Sequence, residues 1–164
     1  IAGAVLIAFL PSERVKTHAA LDWLPGGEQD RAKWLALAIS LTTFVIALIL
    51  YIDFDRGQAG FQFTDTFTWI SASDVGFDVG YSLGVDGLSM PLILLNAFLT
   101  TIAILISWRV DLRPKEYFAF LLILETSVFG VFMALDLLLF FLFFELELLP
   151  MFMLISIWGS GARR

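Results

Sequence analysis

The chain has no cysteine, one histidine and few charges, with Asp, Glu, Lys and Arg together making up only 16% of its 164 residues. Each shortage removes a class of chemistry. Iron–sulfur clusters need thiolates, and membrane haems need histidine pairs at matching depth, which His18 alone cannot provide. No redox group and no metal is therefore expected on this chain, and any electron transfer belongs to other chains. A net charge of −6, spread over loops, offers nothing to a nucleic acid.

What fills the chain instead is apolar surface. It is 59% hydrophobic with a mean hydropathy of +0.87, against roughly 45–50% apolar in soluble domains. Five apolar runs follow one another: a truncated one ending at Leu10, then about 34–52, 88–108, 117–134 and 137–158. The complete ones approach the ~20 residues that carry a helix across about 30 Å of hydrocarbon. The expected fold is an all-α polytopic membrane bundle, and the unbroken runs exclude a barrel. Ile1 opens inside an apolar run and Arg163-Arg164 closely follow another, so the chain reads as a single membrane-domain fragment of a longer subunit. Nine of the ten cations fall in loops that one alternating arrangement puts on the same side; Arg56 alone lies on the other. By the positive-inside rule the basic loops face the cytoplasm or its equivalent. Trp23, Trp34, Trp69, Trp108 and Trp158 sit at run ends or in loops, as an interfacial belt in contact with lipid requires.

The outer loop 53–87 is too long for a bare connection. Phe61, Phe63, Phe67 and Trp69 alternate with polar residues. After Ser71–Asp74, Val75, Phe77, Val79, Tyr81 and Leu83 alternate again. Two period-2 runs predict a β-hairpin, which is marginal alone and should pack on its own helices or on a neighbouring subunit. Pro91 suits the first turn of the next helix, with Asp86 or Ser89 as its cap and capping as the main role of Asp86. Asn96 and Thr100, four apart, share a face that can bond to another helix.

Three acids lie inside the apolar runs. Each costs on the order of 2.5–3.5 kcal/mol at mid-bilayer on insertion scales, so an acid there points to proton or ion handling. Glu145 follows Asp136 by nine residues, about 13–14 Å into its helix. Glu147 is rotated from it by about 200°, so the two cannot form a tight dyad. One should face the polar interior, and the other needs a separate partner or a proton. No Lys or Arg lies within these spans, so a cation for Glu145 must come from other sequence. Pro150 cannot donate to the Leu146 carbonyl, which frees that oxygen between the two acids and predicts a kink that another helix, a hydroxyl or water must satisfy. Glu125, about 12 Å into its span by the same rise, either extends a polar track toward the fifth span or bonds within the bundle. Asp136 is the natural N-cap of the fifth helix, and His18 reads as a solvated loop residue. Both acids of the fifth run can also be read as structural groups that fix helix packing.

Gly84-Val-Asp-Gly-Leu-Ser-Met-Pro91, Glu125-Thr with Gly130-Val-Phe, and Asp136 through Glu145 and Pro150 to Ile157-Trp-Gly159 resemble the antiporter-like subunit M (chain 4) of respiratory complex I. The Glu145-Leu-Glu-Leu-Leu-Pro150 form is most similar to its cyanobacterial and chloroplast version. The resemblance implies a bundle of about fourteen helices in two inverted repeats, of which this chain holds the first few. It implies proton translocation driven by quinone reduction elsewhere, with Glu145 paired to a lysine on a later helix. NAD(P)H or ferredoxin, quinone, FMN and iron–sulfur clusters would be handled by other subunits. The implied partners are other membrane subunits, especially neighbouring antiporter-like ones. Two alternatives stay open: the related membrane subunit of a multisubunit cation/proton antiporter, which has a similar fifth helix, and a structural membrane scaffold.

Overall fold

A computed structural model describes residues 28–58, 60–72 and 77–159. The apolar run ending at Leu10, His18 and Trp23 lie outside the described residues. Four helices and a hairpin follow in order: α1 Glu28–Asp53, β1 Gln62–Ala72, β2 Phe77–Val85, α2 Ser89–Ile106 with a 3-10 turn Ser107–Arg109, α3 Pro114–Met133 and α4 Leu137–Trp158. All four helices are long and apolar enough to cross a membrane. The chain is thus the helical polytopic protein its composition predicts, with one small sheet among the described residues. Helix α1 starts six residues before the predicted apolar run at 34. Its first turns carry Glu28, Asp30, Arg31 and Lys33, and intrahelical bonding continues beyond the hydrocarbon-length segment.

Helices α1, α2 and α3 pack on one another, whereas α4 packs chiefly on α3 and touches β2. Two apolar clusters hold the three-helix unit. At the cation-rich end, Ala32 and Ala36 of α1 meet Ile104 of α2 and Phe118, Leu121 and Leu122 of α3. At the other end, Ala47, Met90, Ile93 and Ala97 gather Phe129 and Phe132. Alanines at the contacts let the backbones approach, the packing mode that works where lipid is as apolar as the protein. Helix α4 is the loosely held element: 11% of its membrane-length window is buried, against 39% for α3.

Between α3 and α4 the contact is close. A Cβ at Gly130 would fall on the ring of Phe143, so glycine is what lets that ring seat. The cation-rich end is tied by aromatic and ionic contacts. Trp158 Nε1 donates to the Leu112 carbonyl at 2.6 Å, Trp34 meets Trp108 edge-on at 5.0 Å, and buried Lys33 lies 3.6 Å from Asp111.

The strands pair antiparallel, with register shifts at Gln62/Asp65 and Thr68/Ile70. Phe63 has φ 52° at the first of these, the local distortion a bulge concentrates. The hairpin docks on its own helices. Leu135 N donates to the Ser82 carbonyl at 3.0 Å, and Leu83 bridges Ala134 across the α3–α4 turn. Gly84 permits this, because a Cβ there would come within 2.7 Å of Leu135 Cδ1.

Candidate functional site

The acids inside the spans occupy three different environments. Glu125 is 4% exposed. It belongs to the α3 stripe Phe118, Leu121, Leu122, Glu125, Phe129, whose three- and four-residue steps face α1 and α2. Ser127 and Gly130 lie on the other side, where Gly130 meets α4. The structure therefore turns Glu125 away from α4 and does not bring it to Glu145 or Glu147. Its main-chain oxygen accepts from Asn96 Nδ2 at 3.2 Å, which is the cross-helix bond of the Asn96 face. Its carboxyl Oε1 is buried with no hydrogen-bond partner among the described residues. Around this level the three-helix interface is polar: Ser40, Thr100 and Thr101 are buried, and Thr101 Oγ1 reaches both the Ala97 carbonyl at 2.9 Å and the Ser40 carbonyl of α1 at 3.4 Å.

On α4 the packed face carries Leu139 and Pro150, both buried, with Leu154 against the core. Glu147, three residues before Pro150, lies on this face and is half-buried. Glu145 is exposed on the opposite face, flanked by Phe141, Leu148 and Phe152, which are 45–66% exposed. Neither acid has an ion-pair partner among the described residues. The helix runs unbroken through Pro150, which still cannot bond to the Leu146 carbonyl. An acid at mid-helix on an uncovered apolar face can exchange a proton only if other protein covers it, because a carboxylate facing acyl chains has no stabilising partner.

Two carboxylates outside the spans hold helix starts. Asp136 Oδ1 accepts from Leu138 N at 2.8 Å and Leu139 N at 3.3 Å, meeting two donors that the first turn of α4 leaves orphaned. Asp86 Oδ1 accepts from Ser89 N at 2.7 Å and Leu88 N at 3.1 Å, while Ser89 Oγ accepts from Asp86 N at 2.9 Å. This reciprocal pair precedes α2 by one turn, and Met90 N already bonds to the Asp86 carbonyl. The Ser89 backbone N–H, aided by the Ser89 hydroxyl, holds the Asp86 carboxyl below its ordinary pKa.

Two positions that shape this region carry only weak sequence signals. Gly130 is a lone glycine inside a helical apolar run, which marks a close approach without naming the neighbour. Lys33 reads as a loop cation, yet it is 5% exposed.

No family model matches the chain. It is 42% identical over 159 residues to the NADH-quinone oxidoreductase subunit M of Rhodobacter capsulatus, covering 96% of the chain and 30% of that protein. It is 47% identical over 136 residues to the NAD(P)H-quinone oxidoreductase chain 4 2 of Synechococcus sp. strain JA-2-3B'a(2-13), covering 82% of the chain and 24% of the relative. To the NAD(P)H-quinone oxidoreductase chain 4 of Synechococcus sp. strain WH7803 it is 36% identical over 165 residues, with 100% and 27% covered. The chain thus spans less than a third of the length of these relatives.

Proposed function

The chain belongs to the NADH-quinone oxidoreductase subunit M and NAD(P)H-quinone oxidoreductase chain 4 family, and from that premise we propose that it is the early membrane part of a proton-translocating, non-redox subunit of a complex I-type NAD(P)H- or ferredoxin-quinone oxidoreductase. The observation that carries the mechanism is the position of Glu145: a mid-helix acid on the face of α4 that no described element covers. The rest of a subunit more than three times this length supplies that cover, with a basic side chain opposite Glu145 and water beside it. The Leu146 carbonyl freed by Pro150 offers that water an acceptor. Motion of the basic partner toward or away from Glu145 then changes the proton affinity of both groups, and a proton advances along the wet path.

Glu147, on the α3 side, and Glu125, on the α1–α2 side, handle protons only if water reaches their separate faces. Electron carriers (NAD(P)H or ferredoxin, FMN, iron–sulfur clusters and quinone) reside on other subunits, since this chain has no thiol and a single histidine. Neighbouring antiporter-like subunits flank it, and its basic loops face the cytoplasm or stroma. Glu145→Gln in the complete complex tests the reading. Assembly should persist while dye quenching in vesicles falls; full pumping in that variant rejects the role.

A further inference from the structure

At the cation-poor end, where α1 gives way to the 54–61 segment and the Asp86 turn leads into α2, the chain borders a cavity of about 520 Å³. That size lies within the ~300–1,000 Å³ of small-ligand pockets. Its apolar wall is built from Tyr51, Phe54, Phe61 and Met90, and its two charged lining residues, Arg56 and Asp86, are of opposite sign. Arg56 is the sole cation of the 53–87 segment. Its guanidinium carbon stands 5.3 Å from the Tyr51 ring centroid, a cation–π contact that fixes it at the cavity wall. No carboxylate pairs with it among the described residues. Asp86 spends Oδ1 on the Leu88 and Ser89 N–H groups, and the same bonds keep its carboxyl in the charged form.

Depth matters as much as charge. Tyr51 closes α1, while Met90 and Pro91 open α2, so the cavity straddles the level at which the apolar spans end. An occupant there meets one cation, one anion and an apolar rim that continues into the hydrocarbon. A free phosphate would use Arg56 and leave the rest idle. A free amine would use only Asp86. We propose that this cavity seats the headgroup of a zwitterionic phospholipid with a primary ammonium, phosphatidylethanolamine, its phosphate on Arg56, its ammonium toward Asp86 and its glycerol end against Phe61 and Pro91. The site is independent of the proton-translocation reading, because its readout is lipid capture.

The test uses the intact complex that contains the full-length subunit, stripped of lipid and placed in phosphatidylcholine nanodiscs with a minor fraction of photoactivatable phosphatidylethanolamine. Labelled peptides should map to 51–61 and 86–91, and unlabelled phosphatidylethanolamine should compete where phosphatidylglycerol and inorganic phosphate do not. Arg56→Gln and Asp86→Asn should each cut the labelling roughly tenfold, the scale of one charge-assisted hydrogen bond. Asparagine keeps an oxygen for the Leu88 and Ser89 donors, so the helix start survives the second change. Labelling absent from these segments, or unchanged in either variant, overturns the proposal. So does equal competition by phosphatidylglycerol or phosphate, or crosslinking of a neighbouring protein chain in place of lipid.

Discussion

At the scale of single residues, two acids separated by one leucine are sent to different surroundings. The 200° rotation between Glu145 and Glu147 follows from helix geometry alone, so their divergence is legible in the sequence. Which of them meets α3 is not, because leucine and phenylalanine surround both and α4 is apolar on every side. Only the seating of Leu139, Pro150 and Leu154 on α3 decides it. The two substitutions should therefore behave unequally in the full complex. Glu145→Gln should lower pumping by roughly tenfold or more, since a positioned proton-transfer group is worth about 10²–10⁴, and Glu147→Gln should stay within about twofold. Dye quenching in vesicles reads both, and equal losses would remove the distinction between the faces. Asp86 carries a pH signature. Its folded pKa lies below the ordinary value, so its contribution is complete at neutral pH and is lost as pH falls through roughly 4 and below. Thermal unfolding of the full-length subunit in detergent should show a shallower acid decline in Asp86→Asn than in wild type.

At the scale of elements, α4 depends on a small set of contacts. Gly130 has no room for a side chain against Phe143, and overpacking of this kind costs about 1–3 kcal/mol. Gly130→Val should lower the unfolding midpoint of the full-length subunit, and shortening the obstructing ring with Phe143→Ala should recover part of the loss. Unchanged stability in the single variant would mean that the helices separate freely. The cap matters too: Asp136→Ala should cost about 1 kcal/mol by leaving the Leu138 and Leu139 donors unmet. The hairpin's existence was legible from alternation over 61–69 and 75–83. Its docking on the α3–α4 turn was not. The Leu135–Ser82 bond joins residues far apart in sequence, and no local pattern encodes it.

Across the whole molecule, the distribution of cations predicts an orientation that can be measured. The cation-rich ends of α1, α3 and α4 converge through Lys33, Tyr117 and Trp158, and at the other end Asp136 caps α4 while Asp86 bonds the turn that leads into α2. None of these 164 residues is a cysteine, so a single thiol introduced here reports sidedness once any cysteines elsewhere in the full-length subunit have been replaced. Leu112→Cys should react with an impermeant maleimide from the cytoplasmic or stromal side, and Gln58→Cys from the opposite side. The reverse pattern would invert the topology.

Composition and run length determined that this is a helical membrane protein, because covering ~30 Å of hydrocarbon with satisfied backbone demands about twenty apolar residues per helix. The spacing of the acids placed them near mid-depth, because helix rise is fixed. Their directions were left to tertiary structure. In lipid the outer face of a helix is as apolar as its packed face, so hydropathy cannot tell which side of α3 buries Glu125 or which side of α4 stays open at Glu145. Small side chains and ring-sized gaps choose the contacts, and those exist only once the helices have come together.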